Sequence, residues 1–512
     1  MGTAAPSPED LFAKAREHWF NGDFEASLDL AARAAADAPR LAYEAALLRA
    51  RVFLRLYRNE AALAELEALA PSRDPDECAS RDMLTGAALH RLEREGAWAL
   101  LRAAASRARH PGVRAEAALF MAQALWAEKN LEEAEALVER TLDPSTGIIY
   151  ARGLELFGWI EDKRERYGVA SRLFLESLAA LDNAPHGDAY MRAGLLQILG
   201  TYAVATPDLR LGRLVRREAK SLAPTSGVRP RWFYVTHNLG GVALLEGDLA
   251  AAWDCFETTL AFADSDAKRA VAHTALAETT AAAGDGFVTA RHLRAALAAI
   301  RRHDWSLSNP DDRTAPLDFS VVAAPIDADA SRAAYEIWAT FAPSPNRAMA
   351  LQGDRRTEAL RLEAEGTSAA ATGRREGTAL LAQAQDLWRE LGLRHYEARA
   401  AFARYRGTRA ADALDVATRS LAGVPASTLR ARVDTAQGGG AGGSKADDLT
   451  PAERRVMLAI CEGKTAAAIA ASFGRSVNTV RGQTRKVFAR MGVRSRAQLV
   501  AECARLGLLT PP

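Results

Sequence analysis

A row of basic side chains near the carboxyl end of the sequence has the chemistry needed to contact the edges of base pairs. On a helical wheel, Val480 and Val487 share one face, whereas Arg481 and Arg485 point away from it and Lys486 lies further round. A guanidinium group can donate two hydrogen bonds to O6 and N7 of guanine. The spacing therefore predicts a helix with one packed face and one basic face that fits a major groove. A merely solvated charged surface is the alternative interpretation.

Two shorter helices must support this basic helix. Thr450 and Glu453 have the spacing of a capping box, so a first helix is expected to begin there and to end at Gly463. A second helix is expected from about Thr465. Ser476 then caps the third helix, which carries the basic side chains. The pattern predicts a helix-turn-helix.

A fourth helix is expected to complete this small domain. Ser495 and Gln498 have the spacing of another capping box. The helix that follows should bury Leu499 and Cys503. The sequence thus predicts a compact four-helix domain at the carboxyl end.

Four short motifs occur in order along these helices, and their combination is specific. They are Leu449-Thr450-x2-Glu453-x2-Val456, Ile469-Ala470, Ser476-x2-Thr479-Val480-Arg481 and Gly492-Val493-x-Ser495-Arg496. Together they resemble the LuxR-type DNA-binding domain of bacterial regulators. The resemblance covers roughly one-eighth of the 512 residues.

The resemblance implies double-stranded DNA as a partner and assigns roles to individual positions. Base-edge contacts are expected from Arg481, Gly482 and Arg485. Phosphate or flanking contacts are expected from Thr479, Gln483, Lys486 and Arg490. In that family the fourth helix commonly forms the dimer contact, so Leu499 and Cys503 are the candidates for an interface in a homodimer on DNA. Contact with RNA polymerase is a further expectation.

Two positions depart from the pattern of the family. Gln483 stands where histidine is usual, which affects the expected sequence preference more than binding itself. Ala468 stands where glutamate is usual, so one polar contact that could tighten the domain is missing.

The rest of the chain is predicted to be helical and repetitive. Hydrophobic residues make up 49% of the sequence but aromatic residues only 7%, which favours closely packed helices over β-sandwiches. The run Leu239-Gly240-x2-Ala243-x3-Gly247-x-Leu249-x2-Ala252-x3-Phe256 resembles a tetratricopeptide repeat. Because the other turns follow no single period, degenerate tetratricopeptide-like hairpins in an α-solenoid are expected. A non-repetitive helical bundle is the alternative.

Composition along the chain predicts three segments. A tetratricopeptide-like sensor or interaction domain is expected over residues 1–433, with a loop-rich break at about 303–330 and further prolines at Ala342 to Asn346. Residues 434–446 contain a glycine run that predicts a flexible linker. The DNA-binding domain follows at 447–512, which carries 11 Lys or Arg against 5 Asp or Glu.

Other kinds of site find no support in the sequence. Gly463-Lys464-Thr465 imitates a phosphate-binding loop, but Leu458 stands where that loop needs glycine, so no nucleotide cofactor is expected. Neither the nine histidines nor the four widely separated cysteines show metal-ligand spacing. No membrane span or signal segment is evident.

Taken together, the sequence predicts a cytoplasmic, non-enzymatic bacterial transcription regulator. Its helical repeats would sense a peptide, protein or small-molecule effector, or dock a partner. The alternative is a helical-repeat scaffold whose helix-turn-helix contacts protein rather than DNA.

Overall fold

The computed structural model describes most of the chain. The described residues are 6–70, 72–305, 312–341, 355–424, 426–437, 449–461, 463–493 and 495–505. Every regular element in these ranges is helical, which confirms the all-α prediction. Among the described helices, none has the length and apolar character needed to cross a bilayer.

The chain divides into two compact units. Unit 1 comprises residues 1–199 and 215–235, and unit 2 comprises residues 200–214 and 236–512. The division falls inside three helices, α11 (Ala189–Ala205), α12 (Leu209–Ala219) and α13 (Arg229–Glu246).

Unit 1 is a series of helix hairpins. Its helices are α1 (Pro8–Phe20), α2 (Phe24–Asp37), α3 (Ala42–Arg55), α4 (Asn59–Glu67), α5 (Pro75–Arg91), α6 (Ala97–Arg107), α7 (Pro111–Ala127), α8 (Leu131–Glu139), α9 (Ile148–Lys163) and α10 (Tyr167–Asp182). Each odd-numbered helix packs on the even-numbered helix that follows it, and α1, α3, α5, α7 and α9 also pack side by side. This serial arrangement is that of a tetratricopeptide-like solenoid.

The first hairpin of unit 1 is bound to a loop that lies 200 residues later in the chain. The amide of Gly227 donates to the carbonyl of Gly22 over 2.7 Å, and Oγ1 of Thr225 donates to the same carbonyl over 2.9 Å. At the start of α11, the ring of Tyr190 lies 5.5 Å from that of Phe24. The hairpins of unit 1 therefore close on themselves.

Unit 2 contains further hairpins and the carboxyl-terminal helices. They are α14 (Leu249–Ala261), α15 (Asp266–Ala283), α16 (Gly286–Arg302), α17 (Ala315–Ala323), α18 (Ala328–Phe341), α19 (Arg355–Ala371), α20 (Glu376–Glu390), α21 (Arg394–Thr408), α22 (Ala411–Ser420), α23 (Thr428–Gln437), α24 (Pro451–Cys461), α25 (Ala466–Ser472), α26 (Val477–Met491) and α27 (Arg496–Arg505). The pairs α15 and α16, α17 and α18, α19 and α20, and α21 and α22 pack as hairpins.

The clearest repeat motif of the sequence forms the expected hairpin of α13 and α14. A Cβ atom at Gly240 would lie 2.4 Å from the ring of Phe256, so only glycine leaves room for that buried ring. Gly247 in the turn has a φ of +76°, a backbone conformation that favours glycine. The small residues of the motif therefore have the packing role that the sequence predicts.

Two boundaries predicted from composition need correction. The break at 303–330 was expected to be loop, but it contains α17 and the first residues of α18. Leu317 and Phe319 of α17 are completely buried, and Pro316 lies in the first turn, where its missing N–H is tolerated. The linker was expected from residue 434, but α23 continues to Gln437. Residues 438–446 and 342–346 lie outside the described residues.

Candidate nucleic-acid interface

Helix α24 begins at the predicted capping box. The amide of Thr450 donates to Oε2 of Glu453 over 2.9 Å, and the amide of Glu453 donates back to Oγ1 of Thr450 over 3.3 Å. These two bonds satisfy donors that have no partner within the helix. Gly463 follows the helix with a φ of +95°, as its role as a helix stop requires.

The next two helices also begin and end where local signals place them. Oγ1 of Thr465 accepts the amide of Ala468 at the start of α25. Oγ of Ser476 accepts the amide of Thr479 over 3.1 Å at the start of α26. Gly492 ends α26 in the left-handed conformation. The helix-turn-helix predicted from the sequence is therefore present.

One compact hydrophobic core holds the basic helix in place. Val480, Val487 and Met491 of α26 are completely buried, as the helical wheel predicts. The buried residues packed with them are Leu449, Val456, Met457, Ala459, Ile460, Ile469, Ala470, Leu499 and Cys503. Because four helices contribute to this core, α26 is a supported element with one face left for solvent.

The solvent face of α26 carries cations that no carboxylate of the described residues neutralises. Arg481, Arg485 and Lys486 are exposed. None of the three has an ion-pair partner in the described part of the chain. Guanidinium groups that remain free in this way can bond guanine or phosphate without first breaking an internal pair.

Asn478 is a member of this surface that the sequence reasoning missed. It is exposed in the first turn of α26, three residues before Arg481 and seven before Arg485. Residues at this spacing share one side of a helix. An asparagine side chain can form two hydrogen bonds with adenine, and the helical spacing was the signal that could have identified it.

Gly482 lies beside the arginines on an open part of the helix. A Cβ atom added there would meet no other atom within 4 Å. Packing inside the domain therefore gives no reason for glycine at this position. This openness is compatible with close approach of a ligand to the backbone.

Arg490 has a role that was not anticipated. Its guanidinium forms an ion pair with Glu453, the capping carboxylate of α24. The side chain of Arg490 is 40% exposed, but that of Glu453 is only 5% exposed. Arg490 therefore stabilises a buried charge within the domain, and a phosphate contact from it would have to share this group.

Two other predicted flanking residues are less free than the arginines. Thr479 is exposed, but its hydroxyl lies 2.8 Å from that of Ser476 and the two share a hydrogen bond. Gln483 is half-buried. Both side chains lie on α26, although only Thr479 is fully at the surface.

The residues predicted to form the dimer contact on α27 do not lie at the surface. Leu499 and Cys503 are completely buried in the core of the domain, so as placed they have no surface to offer a partner. The start of α27 is fixed to the end of α24, because Nη2 of Arg496 donates to the carbonyl of Ile460 over 2.6 Å. A dimer contact would need the exposed side of α27.

A helix-turn-helix that turns exposed arginines outward from its third helix, with no ion-pair partner among the described residues, has the arrangement typical of DNA-binding domains. Residues 447–503 match the family model GerE, bacterial regulatory proteins of the luxR family. This segment is therefore a luxR-family domain, which confirms the resemblance found in the sequence, and the family is one of DNA-binding regulators. The match assigns no family to the helical repeats that precede it.

Comparison with solved structures and curated proteins adds little. One similar chain belongs to the crystal structure of the APC/C hetero-tetramer Cut9-Hcn1, with 12% sequence identity over 84% of this chain and 97% of that chain. The TM-score is 0.25, so this likeness carries no conclusion. No curated protein matches the chain.

Proposed function

We propose that the protein is a sequence-specific transcription regulator whose helix α26 reads bases in the major groove of DNA. The observation that carries this proposal is the row of exposed side chains of Arg481, Arg485 and Lys486, which have no ion-pair partner among the described residues, on a helix supported by a hydrophobic core. Base contacts belong to Arg481, Gly482 and Arg485. Lys486 and Thr479 contact phosphate, with Gln483 and Arg490 flanking them.

The proposed organisation separates DNA binding from sensing. Residues 447–512 form the DNA-binding domain, and the glycine-rich stretch 438–446 acts as a flexible linker. The helical repeats sense an effector or dock a partner, and they regulate how the DNA-binding domain is presented. The protein acts in the cytoplasm, where its DNA is located.

The active form on DNA is proposed to be a homodimer. Two copies of α26 would enter major grooves one helical turn apart, which predicts an operator with two related half-sites. The exposed side of α27, which includes Gln498, is the proposed partner surface in place of Leu499 and Cys503. RNA polymerase would be contacted from this DNA-bound form.

The test is binding of the full chain to duplex DNA across a range of salt concentrations. Sites selected from random-sequence duplexes should share a motif with two half-sites, and log affinity should fall linearly with log salt. Simultaneous replacement of Arg481, Arg485 and Lys486 by alanine should abolish selection. The control is Arg102→Ala, since Arg102 is an exposed arginine of α6.

The same experiment tests the alternative that the protein is a scaffold. Failure of the full chain to bind any duplex at low salt would reject the proposal and favour a helix-turn-helix that contacts protein. Equal binding of the triple variant and the wild type would show that α26 is not the reading helix.

A further inference from the structure

Unit 1 contains a cluster of arginines that come from four different helices. We call this set the inner arginine cluster, and it consists of Arg51 and Arg55 on α3, Arg91 on α5, Arg152 on α9 and Arg231 on α13. Helix α3 packs on α5, and Glu155 of α9 interacts electrostatically with Arg55, Arg152 and Arg231. Side chains that are far apart in the sequence therefore lie close together in unit 1.

Some members of the inner arginine cluster are neutralised by carboxylates. Arg55 makes two hydrogen bonds to Asp188, of 3.0 and 2.6 Å. Glu116 accepts hydrogen bonds from both Arg51 and Arg152, and those with Arg51 Nη2 and Arg152 Nη1 measure 2.8 and 2.9 Å. Paired donors and acceptors of this kind account for three of the five guanidinium groups.

The other two arginines bond only to neutral groups. Nη1 of Arg91 donates to the carbonyl of Leu54 over 2.6 Å. Nη2 of Arg231 donates to the hydroxyl of Tyr190 over 3.1 Å, while its buried Nε has no hydrogen-bond acceptor in the structure. Neither guanidinium has a carboxylate within ion-pair distance among the described residues.

The charges of this interior do not balance. Five guanidinium groups face three carboxylates, those of Glu116, Asp188 and Glu155. Burial lowers the pKa of Arg91, whereas the pKa of Arg55 is raised because Asp188 outweighs the effect of burial. The pKa of Arg231 is also raised, because Tyr190 and Glu155 outweigh the effect of burial. Arg91 is therefore the cation taken out of water without a carboxylate that offsets this cost.

Aromatic rings lie beside both unneutralised arginines. The guanidinium of Arg91 lies 5.5 Å from the ring centre of Tyr57, and that of Arg231 lies 4.3 Å from the ring centre of Tyr190. The side chain of Tyr57 is 73% exposed, so its ring is accessible to solvent. These rings can hold the planar guanidinium groups in fixed positions.

A glycine makes room for one of these guanidinium groups. A Cβ atom at Gly194 of α11 would lie 2.4 Å from Nη1 of Arg231. A larger residue at Gly194 would therefore require the guanidinium of Arg231 to move. No carboxylate of the described residues lies within ion-pair distance of this guanidinium, although Glu155 interacts with it electrostatically. Its buried Nε–H therefore remains available to an oxygen atom of a ligand.

We propose that the inside of unit 1 binds an oxyanion group, a carboxylate or a phosphate, of a small effector between Arg91 and Arg231. The proposal rests on the proposed function, since it names the chemical class of the effector that the helical repeats sense. The group would accept hydrogen bonds from these two guanidinium groups and would reduce the charge imbalance of the interior. An aromatic or planar part of the effector would lie against Tyr57.

The test uses the full chain with citrate and inorganic phosphate as probes, at constant ionic strength maintained with sodium chloride. Calorimetric titration should detect binding of at least one probe. At about five times its Kd, that probe should raise the melting temperature by about 2–4 °C. Arg231→Gln and Arg91→Gln should each weaken binding at least about tenfold. Arg102→Gln, at an exposed position of α6, is the matched control and should bind normally.

The outcomes separate the sources of the oxyanion. Binding of citrate alone indicates a carboxylate effector, and binding of phosphate alone indicates a phosphate-bearing one. Absence of binding for both probes, or unchanged affinity in both glutamine variants, overturns the proposal. If Arg231→Gln lowers the melting temperature of the free protein, Arg91→Gln provides the independent measurement. DNA binding without either probe should be the same in all variants, so failure here is distinct from failure of the DNA-binding proposal.

Discussion

The ion pair between Glu453 and Arg490 links the start of α24 to the end of α26. Glu453 accepts the amide of Thr450 at the start of α24, and it also pairs with Arg490 near the end of α26. The carboxylate is buried, so it depends on these partners to compensate for lost hydration. The reading helix is thereby fixed to the helix that opens the domain.

Replacement of Arg490 by alanine should destabilise the DNA-binding domain. Loss of the cation leaves a buried carboxylate with fewer partners, but the exposure of Arg490 reduces the effect, so we expect about 1–2 kcal/mol. Urea denaturation followed by circular dichroism measures the change. Arg485→Ala, which removes an exposed arginine of the same helix, should change stability by less than about 0.5 kcal/mol. Equal stability of the two variants would contradict the structural role of Arg490.

Arg485 and Lys486 should differ in the kind of DNA binding they support. Arg485→Ala should cost about 1–3 kcal/mol on the preferred site and relax base choice. Lys486→Ala should weaken binding to all sequences alike and make the salt dependence shallower by about one unit. Fluorescence anisotropy on preferred and scrambled duplexes distinguishes these effects. The same loss on every sequence for both variants would reject the assigned roles.

The substitution Gly482→Ala should have opposite effects on the stability of the domain and on its affinity for DNA. The site is open, and alanine is favoured over glycine inside a helix, so the free domain should become more stable by up to about 1 kcal/mol. If the backbone at Gly482 approaches the bases, the added methyl group should weaken binding to the preferred duplex. Paired denaturation and anisotropy measurements on one preparation test this. Improved stability with unchanged affinity would show that the glycine is only tolerated.

Asp318 should make unit 2 less stable as the pH rises. Burial raises the pKa of this carboxyl to about 6, with Glu363 and Glu278 adding to the effect and Arg399 opposing it. The folded protein therefore holds the proton more tightly than the unfolded chain. This stabilisation is present below about pH 4 and is lost as the pH rises through about 6.

The variant Asp318→Asn should remove this pH dependence. At pH 7.5 it should be more stable than the wild type by about 2–3 kcal/mol, whereas the two should be similar near pH 4. Denaturation at both pH values provides the measurement, and Asp415→Asn at an exposed position of α22 is the control. A variant that is no more stable at pH 7.5 would show that Asp318 does not titrate in this range.

Local signals in the sequence predicted the helix-turn-helix well, because its boundaries depend on neighbouring residues. The caps at Thr450, Thr465 and Ser476 involve partners three residues away, so their spacing could be recognised directly. The ion pair of Glu453 with Arg490 spans 37 positions. No local pattern indicates which arginine a buried carboxylate will meet.

Tertiary burial explains the predictions that needed correction. Pro316 and the nearby aspartates suggested a loop, but Leu317 and Phe319 gain enough from burial to support α17. On α27 the apolar spacing correctly predicted that Leu499 is buried in its own domain, whereas the resemblance to the family suggested a dimer contact there. In the structure, Leu499 packs in the core of its own domain. The interior charges of unit 1 were also missed, since they come from six separate parts of the chain.

The hydrogen bond between Gly227 and Gly22 can form only after the ribosome has synthesised about 200 further residues. The first hairpin therefore cannot complete its packing early in synthesis. The first hairpin emerges from the ribosome about 200 residues before the loop that secures it, so it must wait with one edge uncovered. Contacts between such distant positions slow folding, because a long stretch of chain must be ordered before they can form. Deletion of the first two helices should accordingly damage the whole of unit 1 rather than shorten it by one repeat.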